Sequence, residues 1–158
     1  MKIILAPYSV KLPNQDYNPK NPPFDYWPKV VTKLNELGYE VIQIGGLNEE
    51  KVEGVAQVFT NYPFPALKTI LEDADGFVSV DSFLPHFVWS YKIKKRGVVI
   101  FSQSDPLIFG HEDNINLLKD RKFLRELQFQ TWMGVPYNED AFVSPDEVVN
   151  AVSQIARS

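Results

Sequence analysis

Two stretches of the chain gather side chains able to hold an anion. Phe77-Val-Ser-Val-Asp81-Ser82-Phe83-Leu84-Pro85-His86 runs from an apolar segment into a carboxylate, a hydroxyl, a proline and a histidine. A buried strand that ends on Asp81-Ser82, before a helix beginning near Leu84, presents a hydroxyl and free backbone N–H groups at a positive helix end. That arrangement suits a phosphate or diphosphate. The same residues also fit a plain strand-to-helix turn, with Asp81 or Ser82 as the cap and Pro85 in the first helical turn. Further on, Phe101-Ser102-Gln103-Ser104-Asp105-Pro106 offers two hydroxyls, an amide and a carboxylate after another apolar run, then Phe109-Gly110-His111. Both histidines of the chain, His86 and His111, lie in these segments. Beside a phosphate a histidine donates a hydrogen bond or carries charge near neutral pH; the alternative for each is a surface histidine with an ordinary partner.

These residues need a framework, and short apolar runs alternating with amphipathic stretches supply one. Strands are expected at Ile3 to Ala6, Glu40 to Ile44, Phe77 to Val80 and Val98 to Phe101. Helices are expected near Trp27 to Leu37, in 49 to 58, in 65 to 74, from Leu84 to Lys95, and from 145 to 156. Such alternation implies βαβ units and a parallel sheet of five or six strands. Gly38 and Gly97 each read as a helix stop two residues or fewer before a strand. Ser144-Pro145-Asp146-Glu147 combines an N-cap, a proline at the first helical position and a capping-box glutamate. Two connections break the rhythm: residues 7 to 28, with Pro7, Pro13, Pro19, Pro22, Pro23 and Pro28, and residues 102 to 122. Both are far longer than usual, and long loops are commonly functional. Both leave from carboxyl ends of strands, where ligands bind in parallel sheets. Ser9, Ser82 and the segment from Ser102 to Asp105 are therefore expected to face one anion site.

Several function classes recede. Sixteen basic against twenty acidic residues give a net charge of −4, so no electrostatic footprint for nucleic acid is visible. The basic run Lys92 to Arg96 reads as the end of a helix, where cations complement the macrodipole. Cysteine is absent, which removes thiolate chemistry and suits a reducing compartment, so a cytoplasmic location is the expectation. MKIILAPYSV has too short an apolar core for a signal peptide or a membrane span and reads as a first strand. Asp73-Ala74-Asp75 has the spacing of a metal-binding acidic pair, but it precedes a strand, at the wrong sheet edge, and reads as helix end and turn. Gly-rich nucleotide loops and a nucleophile elbow are missing, and a hydrolase built on Asp81 and His86 would lack an activated nucleophile. At 158 residues the chain suits one domain, able to bury roughly 70% of its unfolded surface.

Taken in order, the segments resemble the nucleotide-sugar-binding, C-terminal half of the heptosyltransferase-like glycosyltransferases of family nine. Tyr26-Trp27-Pro28 with its following helix, Leu37-Gly38-Tyr39 and Ile42-Gln43-Ile44-Gly45-Gly46 resemble that family's Trp-Pro helix and Gly-Gly strand end. Phe77 to His86 is similar to its Asp-Ser/Thr-Gly-x-x-His motif, and Phe101 to Pro106 to its Phe-Gly-Pro-Thr-Asp-Pro motif. The resemblance implies a single Rossmann-like, three-layer α/β domain over residues 1–158 with a mainly parallel sheet, one half of a GT-B fold. By the same resemblance Tyr8 and Ser9 would sit at a diphosphate and Lys20 would neutralise it. Glu49 or Glu50 would lie near the ribose, and Asp81, Ser82 and His86 would line the diphosphate end. No metal or other cofactor is implied, because cationic side chains and helix dipoles would stabilise the departing nucleotide. Phe83 departs from the family's glycine and Ser102-Gln103 from its Gly-Pro. The chain corresponds to half of a GT-B enzyme, so an acceptor domain would come from a partner chain or a second copy. The expected function is a domain that binds a nucleotide diphosphate sugar, partner-dependent or non-catalytic. The alternative is a binding or assembly module that has lost the nucleotide, with Phe83 in the pocket and Trp89, Tyr91, Phe129 and Trp132 as a partner surface. Those four aromatics are otherwise expected in the core.

Overall fold

Side-chain alternation along the strands sorts the core into two layers, one on each face of a central sheet. In the computed structural model, which describes residues 1–10, 12 and 17–156, Ile3 and Leu5 of β1 (Lys2–Ala6) join the layer under α1 (Tyr26–Glu36) and α5 (Pro145–Ala156). Ile4 and Ala6 join the layer under α2 (Phe64–Glu72) and α3 (Phe83–Ser90). Val78 and Val80 of β4 (Gly76–Val80) face the first layer, while Phe77 faces the second. Each fully buried Val, Leu or Ile contributes about 1.5–3 kcal/mol, so the two layers together hold the helices to the sheet.

Among the described residues six strands form one parallel sheet. β2 (Glu40–Gly45), β3 (Gln57–Thr60), β5 (Gly97–Phe101) and β6 (Ile115–Leu118) complete the order β3-β2-β1-β4-β5-β6. β1 is flanked by β2 and β4, with Ile3 opposite Gly76 and Ala6 opposite Ser79. Connections leave β1 toward β2 and leave β4 toward β5, so the chain diverges at their carboxyl ends and opens a crevice there. No described helix is long and apolar enough to cross a membrane.

The α/β class, the parallel sheet and its strand number are as the sequence implies; three local expectations are corrected. Residues 49–58 do not form a helix. Gly54 has φ +95, and the segment instead enters β3. The buried amide of Gln43 pins this connection, donating to the Glu50 carbonyl at 2.9 Å and accepting from the Val52 N–H at 2.8 Å. The helix expected to run to Lys95 ends at Ser90, because Lys92 turns to φ 54 and the chain reverses into Ile93. Gly97 is no helix stop. It opens β5, where a Cβ would meet the Phe77 ring at 2.2 Å. Gly38, by contrast, does end α1, at φ +90, and Ser144 Oγ accepts from the Glu147 N–H at 3.3 Å at the start of α5. α4 (Pro106–Phe109) and β6 both lie inside the connection expected to be irregular. Asp73 and Asp75 hold Lys2, through its ammonium at 2.8 Å and its backbone N–H at 2.7 Å.

The proline-rich connection is tied down from beneath. Trp27 is fully buried, and its indole Nε1 donates to the Pro7 carbonyl at 2.8 Å. Asn21 then brackets Ser9, accepting from its N–H at 2.7 Å and donating to its carbonyl at 3.1 Å. Pro13 lies outside the described residues. Replacing Trp27 with Phe removes the donor to a carbonyl next to Tyr8 and leaves a void. Urea denaturation is expected to show a loss of about 1–3 kcal/mol; an unchanged stability would mean that this anchor does not hold the connection.

Candidate functional site

The carboxyl ends of β1 and β4 open onto a cavity of about 420 Å³, a volume suited to a small ligand. Tyr8, Ser9, Gly45, Gly46, Glu49, Ser82 and Phe83 line it, with Tyr62, Phe64 and Leu67 as an apolar flank. Ser82 occupies the N-cap position of α3, yet its side chain makes no capping bond. Its Oγ is buried and, among the described residues, has no hydrogen-bond partner. The first N–H groups of α3 have no i−4 carbonyl within the helix, and Pro85 contributes none. One hydroxyl and the N–H groups of Phe83 and Leu84 thus stand at a positive helix end beside the cavity.

At the other end of the cavity lies Glu49. Its Oε2 is likewise buried and unpartnered among the described residues. The carboxylate folds over Gly45, where a Cβ would meet Oε2 at 1.9 Å and displace it from this position. Burial pushes the Glu49 carboxyl above its ordinary range. The Tyr8 phenol is raised by burial first, and then by Glu50 and Glu49. Glu50 is exposed and lines an adjoining hollow with Tyr8, Asn18 and Asn21. Phe83 borders the cavity without closing it. Phe83 is 45% exposed, and its ring leans on Phe87 at 6.0 Å between centroids.

Asp81 turns the opposite way from Ser82, into a second and more polar cavity of about 240 Å³. Lys20, His86, Ser104, Arg125, Gln128 and Trp132 help line it. Asp81 is 5% exposed, with the Lys20 ammonium 3.5 Å from Oδ2 and His86 Nε2 4.0 Å from Oδ1. Lys20 also lies over the Trp132 ring at 5.3 Å. Among the described residues no group of three or more His, Cys, Asp or Glu side chains is placed to hold a metal ion.

The residues singled out in the sequence therefore divide. Tyr8, Ser9, Glu49 and Ser82 share the larger cavity, whereas Lys20, Asp81, His86 and Ser104 share the smaller. Ser102 and Asp105 reach neither. Ser102 Oγ donates to the Pro19 carbonyl at 3.2 Å and so ties the proline-rich connection to β5. Asp105 caps α4 through the Leu107 N–H and takes both Arg121 nitrogens, at 3.0 and 2.8 Å. The Arg121 guanidinium holds the Asp105 carboxyl below its usual range.

Arg125 and Gln128 were not legible as site residues. Arg125 stacks on Trp132 at 3.7 Å and donates to the carbonyls of Gln128, Gln130 and Thr131. Gln128 bonds the backbone of Gln103, Arg125 and Asp105. Together they brace an irregular segment into a cavity wall, and nothing in its local composition announces that. Of the four aromatics expected in the core, none is buried: Trp89 is 64% and Phe129 81% exposed, Tyr91 is exposed and Trp132 half-buried.

No family model and no curated protein matches the chain. Solved structures do share its fold. E. coli heptosyltransferase WaaC with ADP matches with a TM-score of 0.67 and 15% identity, over 98% of this chain and 44% of that one. The iron-containing dodecameric glycosyltransferase TibC from enterotoxigenic E. coli H10407 matches with a TM-score of 0.68 and 17% identity, over 99% of this chain and 46% of that one. The family 9 glycosyl transferase from Veillonella parvula DSM 2008 gives 0.68 and 16%, over 99% and 46%. This chain spans less than half the length of each. At such identities the likeness is one of fold: a single α/β domain with a six-stranded parallel sheet, similar to one half of a family nine, GT-B glycosyltransferase.

Proposed function

We propose that this chain binds a nucleotide diphosphate sugar in the crevice at the carboxyl ends of β1 and β4. The observation that carries the reading is Ser82: a serine at an N-cap whose buried hydroxyl makes no cap and no other bond. A buried polar group without a partner costs about 1–3 kcal/mol, and a ligand oxygen at the start of α3 would remove that cost. The diphosphate lies against Ser82, Ser9 and the first N–H groups of α3. The nucleoside extends along Tyr62, Phe64 and Leu67 to Glu49, whose free Oε2 accepts from ribose hydroxyls. The sugar passes the β4–α3 turn toward Asp81, His86 and Ser104. Lys20, clamped on Asp81, lies on that sugar side and moves to the diphosphate only by leaving its partner. Transfer to an acceptor needs a second wall, from a partner chain or a second copy, and the matches to less than half of longer transferases support that requirement.

A second reading has its own support. Exposed Trp89, Tyr91 and Phe129 favour an assembly module in which the fold persists without nucleotide. Calorimetric titration with ADP-, GDP-, UDP- and dTDP-sugars separates the two. Micromolar binding of one sugar nucleotide is expected, and silence toward all four from folded protein would leave the assembly reading.

Three variants examine the placement. Ser82→Ala is expected to weaken binding by roughly fivefold, about 1 kcal/mol, with little change in melting temperature. Phe83→Gly clears space beside the first N–H groups and is expected to tighten binding, at a stability cost of about 1 kcal/mol; weaker binding would show that the ring supports the ligand. Glu49→Gln separates stability from binding. A carboxyl whose folded pKa is raised contributes stability below its unfolded pKa and loses it as pH rises through the folded value. Glu49→Gln should therefore raise the melting temperature at pH 7 but not at about pH 4, while weakening nucleotide binding. Equal melting shifts at both pH values would contradict the buried, ionised carboxylate.

A further inference from the structure

The chain's two histidines, from different elements, meet ring to ring. His86 Nδ1, on α3, lies 2.8 Å from His111 Nε2, in the connection between β5 and β6. The rings stand edge to face, at 73° and 4.9 Å between centroids. Trp89, one turn along α3, stacks on His111 at 5.4 Å and 19°. The His111 carbonyl accepts from Asn116 Nδ2 at 3.0 Å and from the Asn114 N–H at 3.1 Å, so the backbone carrying the ring is fixed. His86 borders the Asp81 cavity, as does Phe109, two residues before His111. The contact thus ties together two segments that line that cavity.

We propose that His86 and His111 form a proton-operated latch between α3 and the β5–β6 connection, closed while the pair carries no more than one added proton and opened by the second. A contact of 2.8 Å between ring nitrogens needs one N–H and one lone pair. Two neutral rings meet that condition. So does a pair with one added proton, on either ring; with His86 as the imidazolium, its Nδ1–H donates to His111 and its Nε2–H faces Asp81 at 4.0 Å. The second proton can only enter the contact itself, and it sets two N–H groups and two cations face to face.

The surrounding charges act in the same sense on balance. Burial and, after it, the charge of His86 lower the His111 pKa below its ordinary 6.5, against the opposing pull of Asp113 and Asp81. Lys20, 3.5 Å from Asp81, offsets part of that carboxylate's attraction. A histidine with a depressed folded pKa contributes stability that is full above its unfolded value and is lost as pH falls toward the folded one. The latch therefore holds through the neutral range and releases in acid. This inference stands apart from the ligand proposed above, since it concerns two rings and their protons.

Ring-nitrogen NMR of 15N-labelled protein, followed from about pH 8 to 4, tests it in the unmodified chain. Two separate protonation steps of the pair are expected, with the His111 ring changing in the lower one, below 6.5. The Trp89 indole N–H should shift with the lower step and ignore the upper. In His86→Gln, His111 should titrate closer to its ordinary value. In His111→Gln, one titration should remain and the acid shift of Trp89 should vanish, with far-UV circular dichroism reporting that each variant is folded. Both rings titrating together near 6.5, a His111 titration unmoved by His86→Gln, or a Trp89 signal that follows the upper step would each overturn the latch.

Discussion

The pairing of β1 with β4 is the constraint from which the rest of the structure follows. Ile3 through Ala6 lie opposite Gly76 through Ser79, and the two strands are far apart in sequence. Once they pair, the chain must leave one carboxyl end toward β2 and the other toward β5, because sequential connections run outward on either side. The turn Asp81-Ser82 and the segment Pro7 to Ser9 are then neighbours whatever their own sequence. Alternation within β4 does the remainder. Val80 points into one layer, and the next two residues point apart, so a carboxylate and a hydroxyl adjacent in sequence end in different cavities. What looks like one motif is two half-sites, back to back.

Periodicity made most of the framework legible. Strands buried on both faces, such as Phe77 to Val80, read as continuous apolar runs, and the Ser144-Pro145 start of α5 carries its own capping chemistry. The edges were harder. β3 is Gln57-Val58-Phe59-Thr60, half-exposed and only four residues long, so its apolar residues blend with the helical spacing of 49 to 58. β6 is similar in length and exposure. Neither edge strand has a signal apart from the partner that pairs with it. The overextended α3 has the same origin: lysines at 92, 94 and 95 are good helix formers, and the left-handed turn at Lys92 follows from packing Ile93 against the second layer.

The site was legible as a location more than as a set of contacts. A strand ending in Asp81-Ser82 announces its position, because the carboxyl edge follows from topology. The role of Ser102 does not, since its partner is a carbonyl of the proline-rich connection. Asp105 faces Arg121 with α4 and β6 between them in sequence, and no single period registers the two. Arg125, Gln128 and Trp132 are held by carbonyls and a stacking face, and such bonds leave no spacing rule in a sequence. Glu49 was marked by its place after Gly45-Gly46, but the position of its carboxylate over Gly45 depends on the absence of a side chain there.

One connection has a dynamic consequence. β2 and β3 are joined without a crossover helix, and the span between them is pinned by the Gln43 amide and by buried Val52 and Val55. A segment held by a few side chains and bordered by an edge strand opens more cheaply than β1 or β4, which have ladders on both sides. Amide protons between Gly46 and Thr60 would then exchange with solvent ahead of the central strands, by excursions that leave most of the core intact. Glu49 rides on that segment. An occupant of the cavity would have to be held through these excursions, so it would slow exchange most at a strand it barely touches.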